Sequence, residues 1–250
     1  MNKIIALWGV PRSVSSAFNQ MMANRGDVAA YHEPFGEAYY YGEDRLSERE
    51  ILDSSVRPGV TYQGIWDKIR TEAETRIVFF KDFPYQLEPL LTDEFLDVMT
   101  HSFLIRDPAK TIESYHAKTP DITFRELGFD TQHALFDRLT EKLGGSPPVI
   151  DAEDLLNDTP GVLEAWCDAV GLPYIEEAIE WGDKDLGQVS WFEGGRFHDN
   201  LRASGGLKRQ HRSYPPVASN PRMLELYLEC VPHYQALYPH RMKPKNKAAA

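Results

Sequence analysis

The chain has 250 residues, 42% of them hydrophobic and 12% aromatic, with a formal net charge of −11. That much apolar material builds a core and excludes a disordered chain, and the length suits one α/β domain. So acidic a balance excludes a duplex nucleic-acid binder, which needs Lys and Arg on many phosphates, while leaving room for a local basic pocket that takes a small anion.

The first element is a short apolar run over 4–8. It lacks the small-residue cleavage site of a leader and reads as a strand. No apolar run in the chain has transmembrane length, so no membrane partner is expected. After Gly9-Val10 comes Pro11-Arg12-Ser13-Val14-Ser15-Ser16-Ala17, opening a helix expected over 15–25. Such a helix mouth offers free N–H groups and the positive end of the helix dipole. Ser13, Ser15 and Ser16 add hydroxyl donors, and Arg12 adds a charged fork. Together they form a cradle for phosphate or sulfate. From this stretch alone, a serine-capped helix with a solvated Arg12 reads equally well. An ATP-binding loop would read G-x-x-x-x-G-K-[ST]. Here Val14 stands where glycine is wanted, no Lys precedes the serine pair, and a magnesium-dependent kinase is disfavoured. Val14 also denies the loop a backbone shape reserved for glycine.

Further strands are expected at 28–31, 76–80, 102–105 and 149–150. Helices are expected within 43–56 and at 109–118, 131–143, 159–170 and about 220–237, the last bent at Pro232. This alternation predicts a three-layer α/β fold, a central mainly parallel sheet flanked by helices. Pro108 falls in a helix's first turn, as does Pro160 after the capping candidate Thr159. Cys167 and Cys230 lie in helical patterns without metal-type spacing and read as buried thiols of a cytoplasmic protein. Arg106 lies at the carboxyl end of its strand, where open α/β sheets bind ligands. Ser114, two helical turns on, reaches the same ligand only if its helix packs back along it. Taken alone, Arg106 suits an ion pair with Asp107 or another carboxylate as well. Residues 182–219 are rich in Gly, Ser and charge and read as a lid-like loop. A single domain over 1–242, followed by a flexible tail at 243–250, is the expected organisation.

The loop over 11–16 together with Arg106-x7-Ser114 resembles the sulfotransferases that use 3′-phosphoadenosine 5′-phosphosulfate, whose architecture is like that of P-loop NTPases. "FFKDF", where Lys81 ends a strand, and the step "VIDAEDLLND" extend the resemblance from about residue 4 to 158. The resemblance implies that the first loop, with Arg12, Ser13, Val14, Ser15, Ser16 and Ala17, holds the 5′-phosphosulfate. It implies that Arg106 and Ser114 hold the 3′-phosphate, that Lys81 contacts the sulfuryl group, and that Gly206, Lys208 and Arg209 close over the nucleotide. A solvated basic loop accounts for those last three residues equally well. The product would be 3′,5′-adenosine bisphosphate, and no metal is implied.

In-line transfer needs charge relief, for which Arg12 and Lys81 are the candidates, and a base for the acceptor proton. Cytosolic members place a His two residues after the Lys; here that residue is Phe83, preceded by Asp82. Some bacterial members resembling this chain use a Glu just beyond the second strand, which Glu33 matches. His32, expected on strand alternation to point away from Glu33, is the second choice and Asp82 the third. His32-Glu33-Pro34 also reads as a strand end with a helix-capping carboxylate. The expected acceptor is a small molecule bearing a hydroxyl or amine. Its pocket would be shaped by 36–48 and 188–200, whose aromatic residues suit an aromatic or sugar acceptor and suit plain packing too. Trp8 and Phe18 are candidates for lining the nucleotide, with the core as the better reading for both. Two alternatives remain: an atypical P-loop phosphotransferase requiring magnesium and ATP, and a non-catalytic nucleotide-binding relative that has lost its base.

Overall fold

A computed structural model describes residues 3–49, 55–183, 204–210 and 213–245. Strands β1 (Ile4–Gly9), β2 (Val28–His32), β3 (Ile77–Asp82), β4 (Met99–Ile105) and β5 (Val149–Asp151) form one sheet in the order β2-β3-β1-β4-β5. Every pairing is parallel. Strand β1 is buried along its whole length, so its sequence is continuously apolar. Ile4, Ala6 and Trp8 enter one core while Ile5 and Leu7 enter the other.

Helices cover both faces. On one lie α1 (Ser15–Asn24), α8 (Ala152–Asn157) and α9 (Thr159–Val170), where Phe18 packs edge-on to Trp166 at 4.9 Å. On the other lie α2 (Pro34–Tyr41), α3 (Tyr62–Glu72) and α7 (Phe129–Leu143). Two short helices, α4 (Asp93–Leu96) and α6 (Phe124–Leu127), flank that layer. Helix α5 (Pro108–His116) and helix α10 (Pro221–Leu237) enclose a smaller core with Val10 and Ile112. Helix α10 runs on through Pro232. Trp8 and Phe18 are core residues, fully buried. Cys167 and Cys230 are buried free thiols. Among the described residues no helix is long and apolar enough to cross a membrane.

Two local readings need correction. The described part of 43–56 contains no helix; α2 and α3 flank it instead. Pro34 supplies the pre-set first turn of α2. Asp158, not Thr159, caps α9, its carboxylate accepting from the Gly161 N–H at 3.0 Å, while the Thr159 hydroxyl donates back to the Leu155 carbonyl. Within 243–245, the Lys245 N–H donates to the Gly161 carbonyl and its ammonium pairs with Asp168. Residues 246–250 lie outside the described part.

His101 carries a pH prediction. Its Nδ1 accepts from the Trp8 indole at 3.0 Å, which leaves Nε2 to donate to the Leu96 carbonyl. Burial lowers this imidazole to about 4, against about 6.5 in an unfolded chain. The unfolded chain therefore binds more protons below about pH 6.5, so stability is full above that value and lost as pH falls towards 4. About 3 kcal/mol is at stake. The melting-temperature difference between the parent and a His101→Gln variant, measured from pH 7.5 to 4, should move in the variant's favour as pH falls through this window; a constant difference would refute the assignment.

Candidate active site

The carboxyl ends of the strands face a cavity of about 700 Å³. Strand β1 sends its chain towards β2 on one side while β4 sends its chain towards β5 on the other, the position where open α/β sheets hold ligands.

The loop after β1 is strained. Arg12 has φ 61° and Val14 has φ 62°, ψ 11°. A β-branched residue in left-handed backbone is a rare outlier, costing on the order of 1–3 kcal/mol. The expectation that Val14 forbids the glycine-like shape is therefore overturned: the loop adopts it against the valine's preference. Ser13 turns away from the cavity, fully buried, its hydroxyl donating to the Val10 carbonyl at 2.6 Å. Arg12, Val14, Ser15, Ser16 and Ala17 line the cavity. Arg12 Nε donates to Ser114 Oγ at 3.1 Å, and Arg106 Nη1 donates to the Arg12 carbonyl at 2.6 Å. Helix α5 does pack back along the site, so Arg106 and Ser114 meet at one wall. Arg106 Nε is buried with no protein acceptor among the described residues, a costly orphan that a bound anion would satisfy.

Opposite, Glu33 has φ 46°, which breaks the alternation of β2. Its carboxylate swings onto the Lys81 ammonium and lies 3.5 Å from His32 Nε2, instead of pointing away from that ring. The same His32 Nε2 lies 2.9 Å from Ser16 Oγ. Glu33 lines the cavity; His32 and Lys81 stand behind it. Burial, reinforced by the nearby Lys81 charge, lowers the His32 pKa well below its ordinary value and keeps the ring neutral. Lys81 is fully enclosed, with Nζ 3.8 Å from the Phe83 ring centroid. Burial lowers its pKa against the pull of Glu33. Asp82 is buried and absent from the cavity wall, its two oxygens accepting from the Phe35 and Phe83 N–H groups at 2.9 and 2.8 Å. It is a structural cap, not a base within reach of an acceptor.

The far wall is aromatic: Tyr40, Phe83, Tyr85 and Tyr115, with Gln86 Nε2 donating to the Tyr85 hydroxyl at 3.2 Å. Burial raises the pKa of both Tyr40 and Tyr85 well above the ordinary value, so both remain neutral phenols. Gly206, Lys208 and Arg209 line the opposite rim. Sequence reading named the stretch 36–48 that supplies Tyr40, but it missed Phe83, Tyr85 and Tyr115 as the rest of the aromatic wall, which only tertiary packing assembles, and it missed Lys110. That lysine was visible as Arg106-x3-Lys110-x3-Ser114, a spacing that puts Lys110 and Ser114 on one helix face. Of the segments expected to shape the acceptor pocket, 188–200 lies outside the described residues.

The sulfotransferase domain family matches residues 2–239. The chain belongs to this family. Among solved structures, the sulfotransferase domain from the Synechococcus PCC 7002 olefin synthase is 17% identical, with a TM-score of 0.58 over 92% of this chain and 94% of that one. The sulfotransferase domain from the curacin biosynthetic pathway is 15% identical, with a TM-score of 0.51 over 92% and 98%. At such identities these likenesses establish the fold. The branched-chain-amino-acid aminotransferase-like protein 2 of Arabidopsis thaliana is 27% identical over 98% of this chain and 43% of its own length. Protein 1 of the same name and organism is 26% identical over 72% and 32%. The chain thus spans less than half the length of these curated relatives.

Proposed function

We propose that this sulfotransferase-family protein moves a sulfuryl group from 3′-phosphoadenosine 5′-phosphosulfate to a hydroxyl or amine of a small acceptor. The observation that carries this reading is the convergence of Arg12, Ser15, Ser16, Arg106, Ser114 and Glu33 on one cavity. Its phosphate-binding wall and its carboxylate lie on opposite sides of the β1 loop. The donor supplies an activated sulfur: its bond to the 5′-phosphate oxygen breaks as a bond to the acceptor forms.

Arg12 and the N–H groups opening α1 hold the 5′-phosphosulfate and relieve charge on the departing phosphate. Arg106 and Ser114 bind the 3′-phosphate. Glu33 takes the acceptor proton, with its carboxylate fixed by Lys81. Lys81 acts through Glu33, because it does not line the cavity itself. The aromatic wall of Phe83, Tyr85 and Tyr40 seats the acceptor.

Calorimetric titration with 3′,5′-adenosine bisphosphate, with and without magnesium and beside ATP, tests the donor site. Binding that prefers the bisphosphate without metal is expected, weakened about 10- to 100-fold by Arg106→Ala, the loss of charge-assisted hydrogen bonds. Preference for magnesium-ATP would replace this reading with a phosphotransferase.

A further inference from the structure

Resting on that reading, we propose that Glu153 is a positioning residue that gathers Arg106, Lys110 and Arg209 into one site for a phosphate monoester. The proposal makes Lys110 a direct phosphate ligand and makes Glu153 a determinant of nucleotide choice.

The three cations come from separate parts of the fold. Arg106 follows β4, Lys110 lies in the first turns of α5, and Arg209 belongs to the segment 204–210. All three line the cavity, and all three meet one carboxylate. Glu153 Oε2 accepts from Lys110 Nζ at 2.8 Å and from Arg209 Nη1 at 2.7 Å, while Oε1 lies 3.5 Å from Arg106 Nη2. Asn157, one turn along α8, accepts from Arg209 Nη2 at 2.8 Å. Helix α8 therefore fixes the Arg209 fork from two positions and ties its segment to the sheet.

The surrounding cations favour the charged form of Glu153. Burial works against it, but the hydrogen bonds from Lys110 and Arg209 and the charge of Arg106 outweigh burial and hold its carboxyl at about 2. Three cations and one carboxylate leave a net charge of two, the complement of a dianionic monoester. Without the carboxylate the cations repel one another, and Lys110 and Arg209 have open solvent in which to separate. Arg106 Nε, buried and without an acceptor among the described residues, marks where the cluster still lacks an anion.

The test compares affinity for 3′,5′-adenosine bisphosphate with affinity for adenosine 5′-monophosphate, two probes that differ only in the 3′-phosphate. Both are titrated into the unvaried protein and into Glu153→Gln, Glu153→Asp and Lys110→Ala, with melting temperatures recorded. Glu153→Gln should cut the preference for the bisphosphate about tenfold, chiefly through the bisphosphate, the effect of one charge-assisted hydrogen bond. Glu153→Asp should restore part of that preference, and Lys110→Ala should also lower it. A preference unchanged or raised in Glu153→Gln, while the unvaried protein binds the bisphosphate, overturns the positioning role and leaves the donor reading standing. Failure of the unvaried protein to bind either nucleotide overturns both.

Discussion

Replacing Glu33 by Gln should lower turnover by about 10²- to 10⁴-fold, the usual worth of a positioned general base, while leaving bisphosphate affinity within about threefold of the parent. Gln matches the shape of Glu, yet its amide cannot take the acceptor proton. One complication follows from the packing. Lys81 is fully buried and pairs with Glu33, so the substitution strips a buried ammonium of a counter-charge, a change that destabilises proteins. Burial already lowers the Lys81 pKa, against the pull of Glu33. Removing Glu33 lowers it further, and the amine can shed its proton instead of unfolding the protein. The double variant Glu33→Gln/Lys81→Met separates the effects: it should recover melting temperature and recover no turnover. Single-turnover kinetics with melting curves on all three proteins check this. Full turnover in Glu33→Gln, or activity regained in the double variant, would remove Glu33 as the base.

The centre of the sheet was legible because β1 and most of β3 are buried on both faces and announce themselves as apolar runs, as in "IIALWG". Helix α2 was not. "PFGEAYYY" has an aromatic run that suits a strand, and an N-terminal donor of this helix, the Phe35 N–H, is satisfied by Asp82 from 47 residues away. No local pattern encodes such a cap. The cavity's cations were legible one at a time, as charges beside strand ends. Their geometry was not, because it depends on left-handed backbone at Arg12, Val14 and Glu33, residue types that do not ask for it. Glu33 shows the consequence. Strand alternation sets it apart from His32, whereas the actual dihedral brings both side chains to one place. Strain collected at three positions around one cavity is the usual mark of a working site in a fold rigid enough to hold it.

Asp82→Ala should be the most damaging substitution outside the cavity wall. Its carboxylate accepts from the Phe35 N–H, which opens α2, and from the Phe83 N–H, which turns the chain beneath the aromatic wall. Alanine leaves both donors buried without acceptors, and each such orphan costs about 1–3 kcal/mol. The expected loss is therefore about 2–5 kcal/mol, a fall of about 5–15 °C in melting temperature for a chain of this size. One effect opposes it. Burial, with the Glu33 carboxylate nearby, pushes the Asp82 carboxyl up to about 8, so keeping it ionised costs energy. A carboxyl raised on folding binds more protons in the native state. Its contribution is therefore most favourable at low pH and declines as pH rises from about 4 towards 8. The penalty of Asp82→Ala should accordingly shrink at higher pH. Asn cannot replace it, because both oxygens accept and the amide would set an N–H against an N–H. Melting curves at pH 5.5 and 8.5 for the parent and for the Ala and Asn variants test this. Equal stability of the Ala variant and the parent at both values would show that α2 and the Phe83 turn hold without this cap.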